Sequence, residues 1–190
     1  MKIRIPTIRD SLKYLELAGL KVNTVIDVGS REGTPFLCRQ YPDAKHYLFE
    51  PDDSFNKTVS EVYSNIDYTL TNTLVGNLPH MSKLDDFDFE FSGHCVLKID
   101  VDGGEMRVIR SATDTLKHVD VVIVEVVVEQ FTARITLLEE LGFTLFDLCN
   151  FDYSHGRFAQ CDAIMLNNKL NLQKVDGYSQ WENFRGTIHD

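Results

Sequence analysis

No apolar run in this 190-residue chain reaches the roughly 18 residues a membrane span needs. No charged-then-apolar leader opens it either, so a cytoplasmic protein is expected. Positive charge is scarce: 19 Lys and Arg stand against 29 Asp and Glu, for a formal net charge of -10. Such a chain repels nucleic acid and anionic membranes, and no Lys/Arg cluster relieves the repulsion, so neither is expected as a partner. CxxC spacing is missing too. Cys38, Cys95, Cys149 and Cys161 are scattered, and read as small buried apolar residues in a reducing compartment rather than as metal ligands or nucleophiles.

What is present is an ordinary globular balance, 43% hydrophobic and 25% charged, over a length suited to one domain. Thr7 with Asp10 marks a helix start, and Ile8, Leu12 and Leu15 supply its apolar stripe up to Gly19. Short β-branched or apolar runs follow at 24–28, 46–50, 67–75, 95–101 and 119–128, with helix-compatible segments at 33–41, 53–63, 104–116 and 132–141. The stretch 76–92 is acidic and reads as loop with a helical turn. Two last strands, 143–149 and 160–166, have no helix between them and should form a hairpin, joined by an exposed loop at 150–158. Alternating strands and helices predict a doubly wound α/β sheet with one antiparallel edge. The tail after Asn168, with Tyr178, Trp181 and Phe184, is a candidate core cap, site cover or homodimer contact.

In such a sheet ligands bind beyond the carboxyl ends of the strands. The first strand ends in Asp27-Val28-Gly29-Ser30-Arg31-Glu32-Gly33, where two glycines four apart permit a tight turn close to a ligand. Glu50 closes the second strand, 17 residues after Gly33, where a carboxylate can accept two hydrogen bonds from a ribose diol. Together they favour an adenosine-type ligand. Arg31 occupies the close-approach glycine position of the dinucleotide fingerprint, which disfavours a nicotinamide cofactor. S-adenosyl-L-methionine has no phosphate to pack on the backbone, and its ammonium suits Asp27.

DVGSREG at 27–33, LFEP at 48–51 and LKIDVDGGE at 97–105 resemble the FkbM family of S-adenosylmethionine-dependent methyltransferases. In the third motif Leu97, Lys98, Ile99, Asp100, Val101, Gly103 and Glu105 match, while Asp102 replaces Glu and Gly104 replaces Ala. SKLDDF at 82–87, VIVEV and CDAIML extend the likeness over about residues 24–166. The resemblance implies the seven-stranded class I sheet in order 3-2-1-4-5-7-6 with strand seven antiparallel, and O-methylation of hydroxyls on small molecules, sugars or glycan precursors. The segment between Glu50 and Asp85 is short for the family, which puts the adenine-side contacts in question.

Asp27, Gly29, Ser30, Gly33, Glu50 and Asp100 form the candidate cofactor set. Asp100 is also a candidate base, because an acid inside a central-strand motif is costly without a purpose. His155, with a pKa suited to base catalysis, is the second catalytic candidate. Asp102 and Glu125 are candidate substrate contacts; capping of the next helix is the structural reading of Asp102 and Glu105. Lys98 is expected in an ion pair. Mg²⁺ held by Asp100, Asp102 and Glu125 lacks any supporting spacing, so no metal is expected. A methyltransferase-like binding module without turnover remains the alternative, and a nicotinamide-dependent oxidoreductase a further one.

Overall fold

The strand runs close into one seven-stranded sheet in the order β3-β2-β1-β4-β5-β7-β6. The strands are β1 (Val22–Val28), β2 (Lys45–Phe49), β3 (Tyr68–Thr71), β4 (His94–Ile99), β5 (Val121–Val127), β6 (Phe143–Ser154) and β7 (Arg157–Asn167). The computed structural model describes residues 6–172. Adjacent strands are parallel except where β7 runs between β5 and β6. The expected order and the antiparallel strand seven are both present. Tyr178, Trp181 and Phe184 lie outside the described residues.

Helices α1 (Ile8–Leu17), α2 (Pro35–Gln40), α3 (Asn56–Val62), α4 (Glu105–Arg110) and α5 (Phe131–Glu140) follow the sequence pattern. Thr7 caps α1 by accepting the Asp10 amide at 3.2 Å, and Ile8, Leu12 and Leu15 pack into the core. β5 is apolar on both sides because each side is covered. Val122, Val124 and Val126 join a layer with Val108, Ile109, Ile135 and Leu138, while Val121 and Ile123 join one with Leu12, Leu15 and Leu37. Each such buried side chain contributes up to about 1.5–3 kcal/mol. A central strand is thus the best-determined part of the sheet.

Three segments differ from the expectation. β3 stops at Thr71 rather than 75, because Asn72 turns to donate its amide to the Glu50 carbonyl at 2.9 Å. The helix foreseen over 104–116 ends at Arg110: the Ser111 hydroxyl bonds back to the Val108 carbonyl at 2.8 Å, and a 3₁₀ turn at Thr115–His118 follows. The hairpin strands run on to Ser154 and Arg157 and meet at His155-Gly156, both at positive φ, as a two-residue hairpin turn requires. The supposed loop is therefore a β-ribbon, and Phe151, Tyr153 and Phe158 form an aromatic cluster on it.

Between β3 and β4 no α-helix forms. Phe87, Phe89 and Phe91 alternate with exposed acids, and the phenyl groups cover the sheet that a helix would otherwise cover. Phe87 meets Phe49 at 4.8 Å and Phe89 meets Tyr47 at 5.0 Å between ring centroids. Asp85 anchors the segment by accepting the Thr115 amide and hydroxyl, both at 2.8 Å. Burial alone would raise its pKa, but those bonds and the ones from Asp114 and Thr113 outweigh it and hold it below the usual carboxylate value.

Candidate active site

The carboxyl ends of β1, β2, β4 and β5, with the amino-terminal half of antiparallel β7, gather most of the predicted residues. The turn after β1 is fixed by its glycines for reasons internal to the fold. Gly29 has φ +84, and a Cβ there would lie 1.8 Å from the Asp100 carbonyl oxygen. Gly33 has φ +100, with the Tyr63 ring and Val62 at 3.1 and 3.2 Å from a Cβ. The close approach at Gly29 is to the end of β4 rather than to open space. It brings Asp100 against the β1 turn.

Glu50 is buried at 5% exposure. Its Oε2 accepts the Arg31 amide at 2.9 Å and its Oε1 the Asp52 amide at 3.0 Å. It is therefore not a solvated acid before a proline; two loop amides aim it, and each oxygen retains accepting capacity. The Ser30 hydroxyl is buried at 2% exposure and has no hydrogen-bond partner among the described residues. Beside the next turn, Leu74, Val75, Met81, Val101, Asp102 and Arg107 line a cavity of about 270 Å³.

Asp27 is fully buried. Thr34 donates to its Oδ2 at 2.5 Å and the Lys98 ammonium lies 3.4 Å from its Oδ1. Lys98 also pairs with Asp100 at 3.2 Å, so the expected ion pair is a bridge between the two acids. Burial pulls the lysine pKa down, but Asp27 and Asp100 more than compensate and hold it above its ordinary value. Both oxygens of Asp27 are therefore already engaged within the fold, Oδ2 by Thr34 and Oδ1 by Lys98.

Asp102 is exposed at φ +50 in the turn leading to α4. The turn is tied by Glu105, whose Oε1 accepts the Gly103 amide at 2.9 Å and the Val101 amide at 3.3 Å. Glu105 Oε2 pairs with Arg134 at 2.5 Å, both side chains wholly buried. Arg134 also donates to the Glu125 carbonyl at 2.6 Å and to Gln130 at 3.1 Å. This arginine was not singled out from the sequence, although the signal is there. It stands within the apolar stripe Phe131, Ile135, Leu138 of α5, where a charge needs a buried partner.

Glu125 sits at the end of β5 with Gln160 donating to its Oε1 at 2.9 Å. Burial first, then the charges of Asp100, Glu105 and Asp162, push its carboxyl up to about 7, against an opposing pull from Arg134. Burial and Asp100 also raise Asp162, opposed by a bond from Asn150 and by Lys98. His155 stands exposed at the ribbon turn, seven residues along β7 from Asp162, without a hydrogen bond or ion pair among the described residues. The fold groups Asp100, Glu125 and Asp162, and does not bring His155 to them. Among the described residues no three His, Cys, Asp or Glu side chains converge to hold a metal ion, and no helix is long and apolar enough to cross a membrane.

The raised carboxyl of Glu125 has a consequence for stability. Between its ordinary value of 4.5 and about 7 the folded chain retains a proton that the unfolded chain has lost. The Glu125 contribution therefore falls as pH rises through that window. Urea unfolding at pH 5 and pH 8 should show a smaller decline for Glu125→Gln than for the wild type; an equal decline would reject the assignment.

Residues 71–145 match the methyltransferase FkbM domain. No curated protein matches the chain. The structure is similar to precorrin-6y C5,15-methyltransferase from Geobacter metallireducens GS-15, with TM-score 0.54, 12% identity, and 84% of this chain and 86% of that one covered. It is similar to magnesium protoporphyrin IX methyltransferase from Synechocystis PCC 6803 with bound SAM, with TM-score 0.56, 11% identity, and 84% and 77% covered. N-methyltransferase NodS from Bradyrhizobium japonicum WM9 aligns with TM-score 0.54 at 13% identity, over 84% and 94%. The chain thus has the class I methyltransferase fold, and its residues 71–145 are similar to the methyltransferase FkbM domain.

Proposed function

We propose that the protein is an S-adenosyl-L-methionine-dependent methyltransferase acting on a hydroxyl of a small molecule or carbohydrate. The observation that carries the donor assignment is Glu50, a buried carboxylate at a strand tip whose two oxygens are aimed by amides from both neighbouring turns. The remaining groups fit the same molecule. Ser30 offers an unpaired hydroxyl to a carboxylate, and the cavity beside Val101 suits a flat apolar heterocycle. Asp27, Asp100, Glu125 and Asp162 outnumber Lys98, which suits a ligand bearing a sulfonium and an ammonium.

Bound there, S-adenosyl-L-methionine supplies an activated methyl group. The protein's task is to hold an acceptor oxygen in line and to take its proton. Glu50 holds the ribose diol. The β1 turn with Ser30 holds the amino-acid end, while Asp27 acts through Lys98 by fixing the tip of β4. Asp100 and Glu125 face the acceptor side. The ribbon aromatics Phe151 and Tyr153, 42% and 62% exposed, offer the C–H face of a sugar or other ring a surface to stack on. Cytoplasmic residence and association into a homodimer are part of the same proposal.

S-adenosylhomocysteine should raise the melting temperature, and NAD should not. Glu50→Gln keeps the fold but replaces one accepting oxygen by a donor. Losing a charged hydrogen bond costs about 1.5–3 kcal/mol, roughly a 10- to 100-fold weaker Kd by calorimetry. Unchanged affinity would remove Glu50 from the donor site.

A further inference from the structure

Three carboxylates stand side by side, Asp100 and Glu125 at the carboxyl ends of β4 and β5 and Asp162 beside them on β7. The register that pairs Ile99 with Val124 places Asp100 and Glu125 on the next rung, and Glu125 pairs directly with Asp162. Their surroundings differ. Asp100 lies 3.2 Å from the Lys98 ammonium. No cation pairs with the Glu125 carboxylate among the described residues; Gln160, a neutral donor, orients one of its oxygens. The charged groups facing Glu125 are Asp100 from β4, Asp162 from β7, Glu105 from α4 and Arg134 from α5, and Arg134 is already paired with Glu105. Three acids and one engaged arginine leave this carboxyl short of positive charge.

We propose that a cationic donor bound at the strand tips drives the proton off Glu125, and that the resulting carboxylate takes the acceptor's proton while Asp100 keeps its ion pair with Lys98. This rests on the donor reading above. Two neighbouring acids, one beside an ammonium and the other beside a neutral amide, divide the roles of counter-charge and base. The raised Glu125 carboxyl fits the same division. In the transfer, an acceptor oxygen forms its bond to the methyl carbon as the sulfur–carbon bond breaks and its electron pair returns to sulfur. The O–H proton passes to Glu125, so charge and atoms balance. His155 has no part in this step.

The test needs no acceptor. Calorimetric titration of the whole chain with S-adenosyl-L-methionine, in two buffers of different ionisation heat, counts protons released per ligand bound. At pH 7 a group titrating near 7 should release roughly half a proton, falling toward none by about pH 8.5. S-adenosylhomocysteine, which lacks the sulfonium charge, should release less; its amino group is common to both ligands and cancels in the difference. Glu125→Gln, which keeps the contact with Gln160, should bind the donor and abolish that difference. Binding without release, equal release with both ligands, or a difference that persists in Glu125→Gln would overturn the assignment. Failure of the wild type to bind the donor at all would overturn the donor reading, and this inference with it.

Discussion

Replacing Arg134 by methionine is expected to destabilise the protein by about 3–5 kcal/mol, the loss seen when one partner of a buried ion pair is removed. Arg134 and Glu105 are both fully buried, so the orphaned carboxylate has no route to water. For a chain of this size that amounts to about 6–20 °C in melting temperature. Urea denaturation should show a lower midpoint at an unchanged slope. Combining Arg134→Met with Glu105→Gln should recover part of the loss, because the buried charge is gone while Oε1 still accepts the Val101 and Gly103 amides. A loss below about 1 kcal/mol for Arg134→Met would mean the pair is hydrated. The same arginine pins the Glu125 carbonyl, so its removal should also loosen the tip of β5.

Gly29→Ala should be as damaging by a different route. Its φ of +84 is a conformation L residues rarely adopt, worth about 1–2 kcal/mol. The added methyl would lie 1.8 Å from a backbone oxygen, that of Asp100, which no side-chain rotation relieves. Overpacking adds about 1–3 kcal/mol, and contact with backbone puts this case at the upper end. Gly33→Ala carries a similar φ penalty, but its new contacts are side chains, Tyr63 and Val62, that can shift by a few tenths of an ångström. Gly29→Ala should therefore unfold at lower urea than Gly33→Ala and should lose affinity for S-adenosylhomocysteine. The reverse order would show that the β1 turn does not rest on β4.

Local pattern was enough for much of this molecule. β-branched runs such as VVIVEVV can bury both faces only as central strands, and Thr7 with Asp10 is a complete helix start within four residues. The hairpin pattern FDYS at 151–154 was also legible, since its apolar and polar residues alternate with period two. Composition alone points to a loop there, because the polar members outweigh the alternation. The placement of Glu50 and Asp100 at strand ends is legible because both close strand runs, and position along a strand is a local property.

Pairing across the sheet was not legible. That Lys98 reaches Asp27 as well as Asp100, and that Gln160 rather than Lys98 holds Glu125, follow from strand register, and that Glu105 meets Arg134 follows from the packing of α4 against α5. Register joins residues more than twenty positions apart. Charge state at the site depends on it in turn, because burial and neighbouring charges are properties of the assembled surface. The amino-acid order by itself determined which residues end strands and therefore which acids reach the carboxyl edge of the sheet. Only the tertiary structure decided which of those acids meets a cation and which meets other acids, since Coulomb interaction and desolvation act through space and not along the chain.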